Sequence, residues 1–236
     1  DDHASDYDKR AFVAGDVIRI AKFGTSSGIN YKRTATGTWA PVDEANPMTT
    51  TGGEKFTATF PSDFGGIQPD QSTADDFWKS NQLSNTATAQ GNRASFTFAP
   101  AACKITVIII YEVDNDAQGT TLTGKGLCSG NQSQNESIQL FQTNSSDNKK
   151  RHTYAGIFSP DAAVPYTITV KASTFTEGKS YVEIGTGLTL KAGTEYQYTF
   201  TATSELILNS VVVEDFAKDD TWNSGDGNEE NAGNAT

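Results

Sequence analysis

Apolar and polar residues alternate with a period of two along much of the chain. Phe56–Phe60 reads Phe-Thr-Ala-Thr-Phe, and Tyr166–Val170 reads Tyr-Thr-Ile-Thr-Val. Because successive side chains of a strand point to opposite faces, each segment predicts a half-buried strand. The other strand candidates share this alternation or a β-branched composition: Val17–Phe23, Ile29–Thr34, Ala94–Phe98, Lys104–Tyr111, Ser137–Phe141, Tyr181–Ile184, Leu188–Leu190, 196–201 and Leu206–Val213.

Helical signals are scarce between these strands. Only Thr73–Leu83 has a helical pattern, and glycine and asparagine clusters separate most of the strands. Strands that follow one another without alternating helices predict antiparallel sandwiches rather than βαβ units. The segment from Gly119 to Arg151 is rich in Gly, Asn, Gln and Ser, and we expect long surface loops there with one strand in the middle. The sequence therefore predicts an all-β protein.

Two segments about a hundred residues apart resemble each other. Residues 56–63 and 154–161 both have an aromatic-x-small-x-Phe strand that ends near Pro and Asp. The pattern indicates two related β domains, although a motif this short also arises by chance. The expected divisions are a polar leader over 1–10, an N-terminal sandwich over 11–101, a C-terminal sandwich over 102–216 and a disordered acidic tail over 217–236.

Charge and hydropathy narrow the choice of partners. The 236 residues carry a net charge of -11, and the acids concentrate at the two ends. No basic cluster could neutralise several phosphates, so nucleic acid is not an expected partner. The longest apolar run, Ile105–Tyr111, is as long as a strand and much shorter than the roughly 20 residues of a membrane helix.

Residues that carry catalytic or metal chemistry are few. His3 lies in the acidic leader, and His152 follows three basic residues, so we expect a solvated loop histidine there. Asp114–Gly119 begins like a calcium loop, but Lys125 stands where a bidentate Glu is required, which favours a hairpin turn. We expect no catalytic residue, no metal and no cofactor, and therefore not an enzyme.

Cys103 and Cys128 are the only cysteines of the chain. They lack the spacing of a zinc site or of a disulfide framework. Two alternatives remain open at this point: a disulfide formed in an oxidising compartment, or two buried thiols.

One aromatic residue has neighbours suited to a sugar ligand. Trp78 follows Asp75 and Asp76 and precedes Asn81. An exposed indole ring flanked by acids and amides could bind a glycan. The alternative is that Trp78 anchors a loop.

The order of several motifs resembles a known family. The order begins with Phe12-x-x-Gly15-Asp16-x-Ile18, Tyr31-Lys32 and the Gly37-x-Trp39 turn. It continues with the Phe-x-Ala-x-Phe-Pro strand over 56–61, Asp75-Asp76-Phe77-Trp78, Cys103-Lys104-Ile105 and the Leu188–Tyr198 segment. Over residues 11–216 this order resembles the fimbrillin, or Mfa-like, proteins of Bacteroidetes, which are surface lipoproteins and pilus subunits. The chain departs from the family at Ala101-Ala102, where a His is usual, and at Ser80-Asn81, where Ser-Asp is usual.

The resemblance implies two transthyretin-like antiparallel β-sandwich domains in tandem. It also implies a cell-surface location, either in fimbriae or at the outer membrane through a lipid-bearing cysteine upstream of Asp1. The expected function is a structural or accessory subunit of a fimbria that supports adhesion. The alternative is a non-polymerising tip adhesin or surface lipoprotein that binds host or bacterial glycans or proteins.

The resemblance also implies a route of assembly with other fimbrial subunits. In polymerising relatives a trypsin-like protease cuts near the N-terminus, and the loss of the first strand opens a groove that a strand of another subunit fills. Here Arg10-Ala11 is the expected processing site, or else an ordinary dibasic pair. The donor-strand candidate comprises Leu206, Leu208, Val211 and Val213, or else this strand closes its own sandwich. The polar tail beyond it has no apolar side chains to insert and is not an expected donor.

Overall fold

The computed structural model describes residues 12–145, 147–185, 188–216 and 229–232 of the chain. It is 53% strand and 3% helix, so the expected all-β class is confirmed. No helix in the described residues is long and apolar enough to cross a membrane. The elements in chain order are β1 Val17–Lys22, β2 Gly28–Arg33, β3 Trp39–Pro41, β4 Lys55–Phe60, α1 Ala74–Ser80, β5 Leu83–Thr88, β6 Ala94–Thr97, β7 Ala99–Pro100, β8 Cys103–Tyr111, β9 Ala117–Lys125, β10 Asn135–Gln139, β11 Phe141–Gln142, β12 Arg151–Phe158, β13 Ala163–Ala172, β14 Phe175–Glu183, β15 Thr194–Ala202, β16 Leu206–Asp215 and β17 Glu229–Ala232.

The chain forms two compact units. The N-terminal unit contains the described residues up to Phe64, the segment Gln82–Ala101 and β17. The C-terminal unit contains Gly65–Asn81 and Ala102–Phe216. The expected division at residues 101 and 102 differs from this arrangement, because Gly65–Asn81 packs with the C-terminal unit although it precedes β5 in the sequence.

The N-terminal unit has a six-stranded sheet with the order β3-β2-β1-β4-β5-β7 and a separate pair formed by β17 and β6. The alternation of β4 explains its placement, because Phe56, Ala58 and Phe60 are buried whereas Thr57 and Thr59 are only partly covered. Two isoleucines of β1, Ile18 and Ile20, are buried on the same side of the sheet. Side chains of the other elements complete this aromatic core: Phe12, Tyr31, Trp39, Leu83, Phe96 and Phe98.

The C-terminal unit is a sandwich of two sheets. One sheet has the order β10-β9-β13-β14 and the other β11-β12-β8-β15-β16. The pairs are antiparallel except β8 with β15, which is parallel. A continuous core fills the space between the sheets, with Ile105, Val107 and Ile109 of β8 at its centre.

A second apolar cluster of the C-terminal unit involves the helix. Phe77 of α1 packs with Ala102 and with Ala155 and Ile157 of β12. Ala155 and Ile157 alternate along β12 with Tyr154 and Phe158, which belong to the central core. Both faces of β12 are therefore covered, and this explains its nearly continuous burial.

Several local predictions were wrong. Gly119–Arg151 is not a set of surface loops, because β9 lies between β10 and β13 in its sheet. Most positions of β9 are glycine or threonine, so the sequence does not reveal that Thr120 and Leu122 are the buried positions of an alternating strand. The expected strand Leu188–Leu190 is irregular, and the helix is shorter than expected, from Ala74 to Ser80.

The expected disorder of the 217–236 tail does not hold for Glu229–Ala232. These residues form β17 and pair with β6. Ladder pairing uses the backbone N–H and C=O groups, which every residue except proline supplies, so a polar segment forms a strand as well as an apolar one. Of the described residues, these four alone lie in the predicted tail.

Candidate subunit interface

The last strand of the C-terminal unit contains the four donor-strand candidates. β16 pairs antiparallel with β15 from Ala202↔Leu206 to Thr194↔Asp215. Leu206, Leu208 and Val211 are partly buried against the core of the unit. β16 therefore closes its own sandwich, which is the alternative that the sequence left open.

A bulge in β16 explains why the inward positions do not keep a period of two. The register shifts where Ser210 pairs with Thr199 but Leu208 pairs with Phe200, so Asn209 is the extra residue. The side-chain amide of Asn209 donates to Thr201 Oγ1 at 2.8 Å. Past the bulge Val211 faces the core, whereas Val213 is 54% exposed.

The outer edge of β16 is open in the described part of the chain. β15 is its only ladder partner there, so one row of backbone N–H and C=O groups faces away from the sheet. Ile207, Val212 and Val213 are exposed apolar side chains along this strand. Such an edge can pair with another strand.

A second edge of interest is that of β6 in the N-terminal unit, and another strand of the same chain occupies it. Within the described residues its ladder partner is β17, with Glu230 opposite Phe96 and Ala232 opposite Ala94. Phe96 is fully buried, so the inner face of β6 is fixed in the aromatic core while its edge is filled by the end of the same chain.

The processing-site residues Arg10 and Ala11 lie outside the described residues. The next residue, Phe12, is buried and makes edge-to-face contacts with Trp39, Phe60 and Phe98 at centroid distances of 5.4, 5.1 and 5.1 Å. The backbone N–H of Val13 then donates to Asp16 Oδ2 at 2.8 Å. The chain is therefore anchored in the core directly after the expected cleavage site.

The first strand of the six-stranded sheet follows the expected cleavage site in the sequence. β1 begins at Val17 and pairs with β2 on one edge and β4 on the other. A cut after Arg10 would therefore leave the six-stranded sheet complete.

The four residues of the expected glycan site lie on or beside α1. Thr73 caps the helix, because its Oγ1 accepts from the N–H of Asp76 at 3.1 Å and donates to the Asp76 carboxylate at 2.7 Å. Asp75 pairs with Lys79 one turn later. The backbone N–H of Asn81 donates to Trp78 O at 3.0 Å, which ends the helix.

Trp78 itself offers no open ring face. It is 6% exposed in this structure, and stacking on a sugar needs an exposed aromatic face. The structure brings the four residues together but gives them roles in capping and burying a short helix. This arrangement corresponds to the anchoring alternative for Trp78.

The prediction of a solvated loop for His152 was wrong. His152 lies in β12 and is fully buried, and its Nδ1 lies 2.9 Å from the hydroxyl of Tyr111. Its Nε2 has no hydrogen-bond partner in the described residues. Burial, together with the charge of Lys149, lowers the pKa of His152. The basic residues before His152 made a solvated loop the natural prediction. Its hydrogen-bond partner Tyr111 lies 41 residues away in the sequence, so no local pattern indicated the contact.

Both cysteines are free thiols in this structure. Cys103 is buried and donates to Lys191 O at 3.1 Å, and burial raises its pKa to about 12. Burial raises the pKa of Cys128 to about 11. Neither thiol is ionised near neutral pH. No group of three or more His, Cys, Asp or Glu side chains that could hold a metal ion occurs among the residues that the structure describes.

The chain is therefore an all-β protein of two units, and comparison with known proteins finds solved structures of similar fold. No family model and no curated protein matches the sequence. A proposed cell adhesion protein of Bacteroides ovatus matches with a TM-score of 0.63 and 16% identity, over 89% of this chain and 90% of that one. A proposed cell adhesion protein of Bacteroides uniformis matches with a TM-score of 0.61 and 15% identity, over 88% and 94%.

A third solved structure is the fimbrial anchor protein Mfa2 of Porphyromonas gingivalis. It matches with a TM-score of 0.43 and 10% identity, over 86% of this chain and 89% of that one. The two Bacteroides matches show that the chain shares the fold of proposed cell adhesion proteins of Bacteroidetes, the group to which the fimbrillin resemblance pointed.

Proposed function

We propose that the protein is a structural or accessory subunit of a cell-surface fimbria that joins other subunits by strand exchange and supports adhesion. The observation that carries the proposal is the pairing of β17 with β6. An edge of the N-terminal unit is filled there by a strand from the far end of the chain.

The physical argument rests on the unsatisfied backbone groups of an edge strand. Without β17, the outer edge of β6 would expose its N–H and C=O groups, while Phe96 would keep the strand fixed in the core. A strand added from another chain would satisfy these groups with the same main-chain hydrogen bonds. Repetition of that contact from head to tail produces a filament rather than a closed ring.

Processing after Arg10 is part of the proposal. The aromatic contacts of Phe12 would hold the new N-terminus against the core, so that the trimmed body keeps its sheet. We place the subunit at the cell surface or in extracellular fimbriae, with anchoring to the outer membrane through a lipid on an upstream cysteine.

The second candidate function is a non-polymerising tip adhesin or surface lipoprotein. The same pairing favours it, because β17 already fills the β6 edge within one chain. A subunit that completes its own edge would end a filament rather than extend it. The two candidates differ in whether the edge pairs within one chain or between chains.

Limited trypsin digestion separates these candidates. We expect wild-type protein to be cut after Arg10, which N-terminal sequencing would identify, and to form oligomers measured by size-exclusion chromatography with light scattering. The matched control is Lys9→Gln/Arg10→Gln, which should not be cut at this position and should stay monomeric under the same conditions. Trimmed wild-type protein that stays monomeric would contradict assembly triggered by this cut and support the tip or lipoprotein role.

Hydrogen exchange tests the strand pairing itself. Because consecutive N–H groups of a strand point to opposite sides, Glu230→Pro/Asn231→Pro removes the N–H that faces β6 whichever of the two it is. We expect faster amide exchange in Ala94–Thr97 of this variant and restored protection when a synthetic peptide of residues 217–236 is added. A peptide with the same two prolines should not restore it. Equal exchange in wild-type and variant protein would rule out this edge.

A further inference from the structure

A surface pocket lies on the N-terminal unit, away from β6 and β16 in the sequence. Its volume is about 310 Å³, and it is lined by Arg19 of β1, by Gly28, Ile29 and Asn30 of β2, and by Val42, Asp43 and Asn46 after β3. This volume is at the lower end of the range for small-molecule pockets, roughly 300–1,000 Å³.

The sheet register places the polar groups of the pocket. Arg19 lies directly opposite Asn30 of β2, and the N–H of Val42 donates to Asn30 O at 2.8 Å. The buried neighbours Ile18 and Ile20 turn Arg19 to the outer face of the sheet. Three successive segments of chain thus converge on one side of the unit.

Gly28 keeps space for the arginine. A Cβ at this position would lie 2.8 Å from Ile20 O and 2.9 Å from Arg19 Nε, closer than non-bonded atoms approach. The guanidinium is held at this end of the pocket because Arg19 Nη2 donates to Ser26 O at 2.5 Å. Since a guanidinium has five N–H groups, donors remain for a ligand.

The acidic side of the pocket is also preorganised. Asp43 accepts from Asn46 Nδ2 at 2.6 Å and from the N–H of Ala45 at 3.1 Å. These hydrogen bonds lower the pKa of the Asp43 carboxyl group, so it is ionised at neutral pH. Each carboxylate oxygen can accept a further hydrogen bond.

The chemistry of the lining selects the class of ligand. The cation of Arg19 and the anion of Asp43 balance each other, so a phosphate or sulfate would meet a carboxylate and a metal ion would meet a guanidinium. The amides of Asn30 and Asn46 can both donate and accept, which matches hydroxyl groups. The exposed side chain of Val42 supplies aliphatic surface for the C–H groups of a ring.

We propose that this pocket binds a neutral saccharide unit of a surface glycan. Asp43, Asn30 and Asn46 would hold ring hydroxyl groups, and Arg19 would donate to a hydroxyl or ring oxygen. The pocket belongs to the N-terminal unit and shares no residue with the helix that contains Trp78. The inference rests on the surface location proposed above and gives the adhesion role a ligand class.

An array of neutral, sialylated and sulfated oligosaccharides tests the site with the full-length chain. We expect signals from neutral glycans, and at least a tenfold loss of affinity for Asp43→Asn and for Asn30→Ala when a positive glycan is titrated in solution. Asp63→Asn is the matched control, because it removes an exposed carboxylate from the same unit outside the pocket. Circular dichroism would show that all variants are folded.

Each other result has a defined meaning. Signals confined to sialylated or sulfated glycans, signals that survive both pocket substitutions, or no signal from wild-type protein would overturn the inference. The array tests the saccharide site and the trypsin assay tests assembly, so the result of one does not determine the result of the other. Oligomers without array binding would contradict only the proposed saccharide site. Array binding by a trimmed monomer would contradict only the proposed assembly.

Discussion

The side-chain amide of Gln71 forms two hydrogen bonds with the backbone of Ile157. Its Nε2 donates to Ile157 O at 2.8 Å, and its Oε1 accepts from the Ile157 N–H at 2.7 Å. β11 pairs with β12 only at Tyr154 and Ala155, so the amide continues the ladder where that short strand has ended. Gln71 is fully buried and thereby closes part of an edge of the five-stranded sheet.

We expect Gln71→Ala to destabilise the C-terminal unit by about 2–4 kcal/mol, because it leaves one buried N–H and one buried C=O of Ile157 without partners. Urea denaturation would measure the change in the free energy of unfolding. The matched control is Gln132→Ala, which removes an exposed amide that donates to Asp161 O at 3.1 Å. A Gln71 variant as stable as the control would show that the amide does not support the edge.

Burial of Phe12 gives a second prediction. Phe12→Ala removes a ring that contacts three aromatic residues, so we expect a loss of about 3–5 kcal/mol from the N-terminal unit. Phe23→Ala is the control, because Phe23 is 62% exposed, and its thermal midpoint should stay near that of wild type. Equal midpoints for both variants would show that the chain is not anchored at Phe12.

The lowered pKa of His152 predicts that the stability of the folded chain depends on pH. Burial lowers its pKa in the folded chain, so the unfolded chain binds the extra proton once the pH falls below the ordinary value of about 6.5. Stability is therefore complete above that pH and decreases as the pH falls towards the folded pKa, by at most about 1.4 kcal/mol per pH unit for one proton.

Urea midpoints between pH 7.5 and 5.5 test this sign. The window lies above the ordinary carboxyl pKa values of about 4, which limits the contribution of Asp and Glu. We expect His152→Gln to be less stable at pH 7.5 but to have a flatter pH profile than wild type. His3→Gln controls for the other histidine and should keep the wild-type slope. A steeper decline in the His152 variant would contradict the assignment.

The raised thiol pKa values predict slow reaction of both cysteines in the folded chain. With a pKa of about 11, Cys128 has only about 0.1% thiolate at pH 8, and Cys103 has less. Ellman's reagent should therefore react slowly until guanidinium unfolds the chain and then detect two thiols without added reductant. Zero thiols under those conditions would show that the two cysteines form a disulfide.

The sequence predicted the elements whose buried positions carry large side chains. Phe56, Ala58 and Phe60 alternate with threonine, so period two alone revealed β4. β9 was missed because glycine and threonine dominate its positions, and the burial of its few larger residues depends on β10 and β13.

Local sequence patterns could not predict the contacts between residues that are far apart in the sequence. The Gln71 amide meets a backbone 86 residues away, and the pocket brings together Arg19, Asn30 and Asp43 from three segments. Neither arrangement has a periodic signal. The tail strand β17 was missed for a related reason, since its pairing uses backbone groups that polar and apolar residues share.

A substitution of Leu208 tests whether β16 closes its own sandwich or is donated to another subunit. Because β16 closes its own sandwich and Leu208 packs against the core, Leu208→Ala should destabilise the C-terminal unit by about 2 kcal/mol. Val213→Ala should stay within about 0.5 kcal/mol of wild type, because Val213 is 54% exposed. Urea denaturation of both variants, before and after trypsin trimming, gives the comparison. If Leu208→Ala kept wild-type stability but prevented oligomers from forming, β16 rather than β17 would be the strand that a subunit donates.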